Sequence, residues 1–387
     1  MHTTQDEGFI SRLTAWRRQL HRIPELEFEL PRTRQFITGE LEAMGYAPEL
    51  HWGKSAVVAR LEGKTGITLA FRADMDALTV TEATGVPFAS EHPGAMHACG
   101  HDGHMAALLG LAWALKQQPE PPACSVLFIF QPAEEGPGGA RLLVEEGLLA
   151  HHGVTAIIGT HLFPGLPQGT LGLKAGPFMA QNGEVDLVVT GRSAHGAQPQ
   201  QGIDAVVAAA DLVLRLQAVA ARETSPLDPL VLTFGQISGG ERCNIIARQV
   251  ALHGTLRAFR DAVFRSAQES IRRHAAGTEA AFGCTVDVVF RDMYPAVDND
   301  PQLTELMAGL APADQLCWME PQMLAEDFAF YQQKVPGLFY FMGTGNPDRG
   351  FTAPLHNAGF NFDESVLARI VDLNLKLLAR FAGQGGQ

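Results

Sequence analysis

Val126, Leu127, Phe128, Ile129 and Phe130 follow one another without a polar residue between them. A strand that is apolar on both faces cannot leave one face in water. It has to lie inside a sheet covered on both sides, which is the situation of a parallel sheet flanked by helices. Residues 56–61, 67–71 and 154–158 are shorter on polar residues than their surroundings and have the same strand character. Helical periodicities lie between these runs, at 105–115 and 140–146. Two more helices are predicted ahead of the first strand. Phe9, Ile10, Leu13, Trp16 and Leu20 share one helical face that Pro24 ends, and Pro31 opens a second helix carrying Phe36, Ile37, Leu41 and Met44, with Gly45 as its stop. The alternation predicts an α/β fold with a mixed, mostly parallel sheet covered by helices.

Near Gln181 the pattern changes. Val185, Leu187 and Val189 alternate with Asp186, Val188 and Thr190, the period of a sheet with one wetter face. A helix at 203–220, strands at 230–234 and 250–256, a helix at 263–274 and a strand at 285–290 follow. This strand–helix–strand–strand–helix–strand order is that of a split βαβ, ferredoxin-like α+β unit. After Tyr294-Pro295 the first pattern resumes, with a strand at 338–342 and a last helix at 364–381. The division read from the sequence is therefore a larger domain, 1–180 and 294–387, with a smaller one, 181–293, inserted into it. A chain of 387 residues is long enough for both.

Charge narrows the partners. The formal net charge is −13, and no run of Lys or Arg interrupts it. Such a chain repels polyphosphate and anionic lipid, so neither nucleic acid nor a membrane surface is expected. The longest apolar run, 105–115, falls well short of the ~20 residues a spanning helix needs. The N-terminal residues, polar and acidic, do not read as an export leader. Cys99, Cys124, Cys243, Cys284 and Cys317 are odd in number and form no CxxC pair, which fits reduced thiols in a cytoplasm rather than a disulfide framework.

Three of the predicted strands run directly into polar clusters: Arg72-Ala73-Asp74-Met75-Asp76, Gln131-Pro132-Ala133-Glu134-Glu135 and Gly159-Thr160-His161. Ligands of open α/β sheets bind outside the carboxyl ends of strands, so these clusters are expected to converge. The densest chemistry is His97-Ala98-Cys99-Gly100-His101-Asp102-Gly103-His104. In an extended loop, residues two apart share a side, which lets Cys99 and His101 approach one metal ion. A thiolate with imidazoles suits Zn²⁺ or another late first-row divalent ion. Asp76 reads as a supporting residue behind the ligands, and Asp102 and His104 as supporting or helix-start residues. Of the adjacent Glu134 and Glu135, one can bind metal while the other accepts a proton from an activated water. His161 and His356 gain weight from their places after strands. Two other readings stand beside this one: Cys99 as a nucleophile with a histidine base, and a binding protein without catalysis.

With these residues in view the sequence resembles the dinuclear metal-dependent amidohydrolases of the aminoacylase and carboxypeptidase superfamily, in the branch of hippurate hydrolase and the auxin-conjugate amidohydrolases. The motifs that carry the resemblance span nearly the whole chain in order. They are Arg18-Gln19-Leu20-His21 with Pro24-Glu25-Leu26, Arg72 to Leu78, His97 to Asp102, Gln131 to Glu135, Gly159-Thr160-His161, Gly191-Arg192-Ser193-Ala194-His195, Ala325-Glu326-Asp327-Phe328 and Leu355-His356. The resemblance implies a zinc-peptidase-like catalytic domain and two divalent metal ions per subunit (Zn, Mn, Co or Ni). Their ligands would be Cys99, His101, Glu135, His161 and His356, and Glu134 would be the general base. It implies that the inserted domain is a dimerisation lid of a homodimer, that His195 reaches the partner's active site to stabilise the oxyanion, and that Asn244 lies near the substrate. The implied substrate is an N-acyl amino acid. Ala247 stands where many relatives have proline, which alters the local turn and not the chemistry.

Overall fold

The computed structural model describes residues 6–384. The start of the chain, 1–5, on which part of the leader reading rests, lies outside them. Two compact units divide the chain. One contains the residues up to Gly176, Asp298–Glu320 and the residues from Asp327 onward; the other contains Pro177–Val297 and Pro321–Glu326.

The first unit opens with helix α1 (Glu7–Arg22), whose N-terminus is capped by Asp6 accepting from the Gly8 N–H at 2.9 Å. Helix α2 (Pro31–Ala43) starts on its proline and has no side-chain cap. Strands β1 (Val57–Leu61) and β2 (Thr68–Asp74), helix α3 (His101–Lys116) and strand β3 (Ser125–Gln131) follow. Next come α4 (Gly139–Glu145), α5 (Leu148–His151), β4 (Val154–Pro167) and β5 (Leu171–Leu173). Short strands β6 (Gly176–Met179) and β11 (Val297–Asn299) lie where the chain leaves this unit and returns. After the return come α8 (Pro301–Ala308), β12 (Leu316–Trp318), α9 (Ala329–Gln332), β13 (Gly337–Gly345) and α10 (Ser365–Gln384).

Seven of these strands form one sheet in the order β1-β3-β2-β4-β13-β5-β12. Its centre is parallel, β3 with β2, β2 with β4 and β4 with β13, while β1 joins β3 and β13 joins β5 antiparallel. Every residue of β2 and β3 is buried, as the unbroken apolar run requires. α1, α3 and α10 share a core with the sheet, in which Leu13, Trp16, Leu109, Phe71, Phe128, Ile158 and Val371 pack together. Each such side chain contributes ~1.5–3 kcal/mol relative to exposure.

Most strands and helices of this unit run past the apolar runs that indicated them, though β1 and α4 do not. β4 in particular does not stop at Ile158. It passes through His161, which pairs with Phe341 on β13, whereas its pairing with β2 ends at Arg72 opposite Gly159. His161 is thus inside a strand but beyond the end of one neighbour. Helix α3 begins earlier than its apolar face, at His101. The extended-loop argument for Cys99 and His101 is corrected accordingly. Gly100 adopts φ +87° at the helix N-cap, and that turn, not a two-residue extended repeat, relates the two side chains. β5, β12 and α8 were not legible, being short and without a clean period.

The second unit is built on β7 (Gln181–Thr190), α6 (Ala205–Ala218), β8 (Leu230–Gly239), β9 (Gln249–Ala258), α7 (Asp261–Phe282) and β10 (Thr285–Asp292). The sheet order is β10-β7-β9-β8, antiparallel throughout, the ferredoxin-like arrangement expected. Val185, Leu187 and Val189 face a core with Leu212, Leu252, Phe264 and Ile271. The segment Pro321–Glu326, far away in sequence, joins this unit because Ala180 N–H donates to Leu324 O at 2.8 Å and Arg257 donates to Met323 O at 2.6 Å.

A buried polar network ties the first unit together. Arg72 on β2 donates to Asp74 and Asp327 at 2.8 Å each, and to Gln131 on β3 at 2.8 Å. Gln131 donates to Asp327 at 2.8 Å, and Asp327 also accepts the Ala140 N–H at the start of α4 at 2.9 Å. Removing the cation leaves two carboxylates in the core, an arrangement that costs ~3–5 kcal/mol when one partner of a buried ion pair is lost. Arg72→Met, which keeps the aliphatic volume, is expected to lower the unfolding free energy by that amount, seen as a lower urea midpoint with an unchanged slope. A shift under about 1 kcal/mol would show that the network carries little stability.

Candidate active site

The site forms where three chain segments stop or turn. α3 starts after Gly100, where a Cβ would lie 3.1 Å from Leu162 and the positive φ would strain any other residue. The loop after β3 carries Ala133 at φ 58°, directly before Glu134, and closes against α4 so tightly that a Cβ on Gly139 would sit 1.9 Å from Pro132 O. His356 itself is at φ 63°. Left-handed conformations at Ala and His cost ~1–3 kcal/mol each and persist only where the surroundings impose them.

These segments bring the predicted ligands together. Ligand atoms of Cys99, His101 and His161 lie within 4.8 Å of one another, as do those of Cys99, Glu135 and His356, and those of His101, Glu134 and Glu135. Cys99 Sγ is 3.4 Å from His161 Nε2 and 3.3 Å from His356 Nε2, and His356 Nε2 is 3.2 Å from Glu135 Oε1. The thiol is therefore common to two of the groups.

Asp76 holds the arrangement in place. Its carboxylate accepts the backbone N–H of Glu134 at 2.9 Å and of Glu135 at 3.0 Å, and its carbonyl accepts Nδ1–H of His101 at 2.7 Å. This is the supporting place expected for it. Asp102 takes the helix-start place, in the first turn of α3. Its carboxylate accepts from Arg17 at 2.8 Å, from His21 at 2.7 Å and from the Gly103 N–H at 2.9 Å, so it joins α1 to α3. His104 is a supporting residue too, donating to Asp74 at 2.6 Å and accepting the Leu162 N–H at 3.0 Å.

Two rings are oriented as metal ligands usually are. His101 and His161 each give Nδ1–H to a backbone carbonyl, Asp76 O and Leu162 O, both at 2.7 Å. That fixes the tautomer and leaves Nε2 with its lone pair. His101 Nε2 is buried with no hydrogen-bond partner, an orphan a cation would satisfy. Burial lowers the pKa of both rings, that of His161 to about 3, which favours the neutral, ligating form. Burial opposes ionisation of Glu135, yet the neighbouring His356 and His101 outweigh it and hold its carboxyl below the usual range. For Cys99, burial and the carboxylates of Glu135 and Glu134 all push the thiol well up. A nucleophilic cysteine needs the opposite environment, so the thiol-nucleophile reading finds no support here. A set of thiol, imidazole and carboxylate donors fits Zn²⁺ and its late first-row neighbours.

His195 and Asn244 sit in the second unit. The Asn244 carbonyl accepts the Gly196 N–H at 2.8 Å, His195 pairs with Ile245, and both side chains are exposed. The residues the sequence did not single out are Gln131, as a partner of Arg72, and Asp327. Both stood in motifs already noted, but nothing in the sequence indicates that they meet across 196 positions.

The profile of Peptidase family M20/M25/M40 matches residues 70–380. An N-acetyldiaminopimelate deacetylase of Shouchella clausii is 38% identical over 335 residues, covering 86% of this chain and 89% of its own. An N-acetylcysteine deacetylase of Bacillus subtilis is 38% identical over 371 residues, covering 94% of each. A crystal structure from Bacillus subtilis, described as a dinuclear metal binding peptidase from the M20 family, superposes with a TM-score of 0.86 at 34% identity, covering 98% of this chain and 99% of that one. With a profile match over most of its length and relatives this similar end to end, the chain belongs to peptidase family M20/M25/M40 and is a metal-dependent amidohydrolase.

Proposed function

We propose that the protein hydrolyses the amide bond of N-acyl amino acids, releasing a carboxylic acid and a free amino acid. N-acetyl conjugates are the first class to expect, with benzoyl (hippurate-like) and aryl-acyl conjugates as the wider range. The observation that carries the reading is the meeting of Cys99, His101, His161, Glu135 and His356 beside Glu134. The deacetylase names of two relatives point the same way. The ligand residues would hold two divalent ions, Zn, Mn, Co or Ni, which when bound polarise the substrate carbonyl and acidify a water.

The chain's own residues then have separable tasks. Glu134 takes a proton from the attacking water and later passes it to the leaving nitrogen as the carbon–nitrogen bond breaks. Asp76 fixes the turn that carries Glu134 and Glu135 by holding both backbone N–H groups. His195 would donate a hydrogen bond to the oxyanion of the tetrahedral intermediate, and Asn244 beside it would contact substrate. A protein that only binds its ligand has no use for a carboxylate in the place of Glu134. The five free thiols fit a cytoplasmic setting.

We assign the second unit as a dimerisation lid. Val206, Val207 and Leu214 on α6 and Ile237 on β8, the last strand of its sheet, are exposed large apolar residues that a second copy would cover.

Two measurements test the chemistry. Metal-reconstituted protein screened against N-acetyl, N-benzoyl and indole-acetyl amino acids should release free amino acid from at least one series, and no turnover of any would overturn the reading. Glu134→Gln should keep its metal and lose at least ~10²-fold in turnover, while Glu135→Gln and Cys99→Ala should lose metal by elemental analysis. The reverse outcome would exchange the roles of the two glutamates. A co-expression experiment tests the lid. If His195 serves the partner's site, a Glu134→Gln chain paired with a His195→Ala chain leaves one site intact, so random pairing should restore roughly a quarter of wild-type activity in a twofold dimer. Activity no greater than that of the single variants, with mixed dimers confirmed by mass, would place His195 in its own chain's site.

A further inference from the structure

We propose that Glu49, His151 and His152 form a second, separate metal site that takes an imidazole-preferring divalent cation such as Zn²⁺. Ligand atoms of these three residues lie within 4.8 Å of one another. His152 and His161 lie on opposite sides of the start of β4. From Val154 to His161 is seven residues of strand, about 23 Å at ~3.3 Å per residue, so the two clusters do not share a ligand or an ion.

The cluster is built rather than incidental. Glu49 is fixed on both backbone and side chain: it pairs with Val58 on β1, and its Oε2 accepts Trp52 Nε1–H at 2.7 Å. The turn carrying the histidines is fixed by Arg60 donating to the His152 carbonyl at 2.7 Å. Gly53, beside Trp52, donates to Glu146 at 2.7 Å. Rings gather round the indole. The His51, His151 and His152 centroids lie 4.7, 5.3 and 6.0 Å from that of Trp52.

An independent observation points to a ligand. His152 is only 7% exposed, and its Nε2 is buried with no hydrogen-bond partner. Glu49 Oε2 lies 3.5 Å from it, too far for a good hydrogen bond and suited to two groups that face a common third one. His151 is exposed and leaves a path from solvent. His51 Nε2, 4.0 Å from Glu49 Oε2, is within reach as a fourth ligand, and a water can fill that position otherwise. Two or three imidazoles with one carboxylate match Zn²⁺, Ni²⁺ or Cu²⁺ and disfavour Mg²⁺ and Ca²⁺, which take oxygen donors. An ion bound here would tie the segment before β1 to the turn before β4.

The site is tested by counting ions. Wild-type enzyme, already loaded with its catalytic metal, is dialysed to equilibrium against buffered Zn²⁺ beside His151→Ala and His152→Gln. The first changes an exposed residue and the second preserves volume, so folding is not at stake in both. Elemental analysis should find one more Zn²⁺ per chain in wild type than in either variant, with amide hydrolysis within about twofold in all three because the sites are distant. Cu²⁺ titration should quench a share of tryptophan fluorescence in wild type that is lost in His151→Ala and in Trp52→Phe. Equal Zn²⁺ content in the three proteins, or quenching unaffected by His151→Ala, would overturn the proposal. Should the catalytic centre hold fewer ions than two, all totals fall together and the one-ion difference persists, so the two readings fail separately.

Discussion

Two carboxylates, Asp74 and Asp327, share one guanidinium, that of Arg72, in the interior of the larger unit. All three are buried. Burying charge is expensive, and only mutual attraction with complete hydrogen bonding offsets it. Here the offset is complete in kind. Gln131, His104 and the Ala140 N–H supply the remaining partners, and His101, His104 and Arg72 hold the Asp74 carboxyl well below its usual range against the effect of burial. The network joins β2, β3, α3, α4 and the segment before α9. No apolar contact would set the register of those pieces so narrowly, because an apolar surface tolerates sliding and a directional, charge-assisted hydrogen bond does not.

The active site inherits its geometry from this arrangement. His104 passes the constraint from Asp74 to the backbone of β4 through the Leu162 N–H, next to His161. Asp76, two residues beyond Asp74, passes it to Glu134, Glu135 and His101. The strained backbone at Ala133 and His356 is stable only because the elements on either side are held.

Much of this was legible along the chain. The unbroken apolar run at Val126 to Phe130 meant a covered sheet, and the alternation at Val185, Leu187 and Val189 meant a different, half-wet one. Cys99, His101, Glu135, His161 and His356 stood out because uncommon ligand types occurred at strand exits or in one dense cluster, and the structure gathers them. The pairing of Asp102 with Arg17 and His21 was not legible. An acidic residue beside a ligand cluster looks like support for the ligands, and only the packing of α1 on α3 diverts it.

Sequence by itself determined the two periodicities, and with them the class of each unit, the residue types able to hold metal and the family. Those are local properties, set by hydropathy spacing and side-chain chemistry. Tertiary structure alone decided that His161 lies within a strand past the end of its neighbour, that Gly100 rather than an extended loop relates Cys99 to His101, and that Pro321–Glu326 belongs with the smaller unit. It also decided that Glu49 meets His151 and His152 around Trp52. Each of these depends on pairing between segments tens to hundreds of residues apart, where the energy of a contact is set by what the rest of the fold brings opposite it and not by the order of residues along the chain.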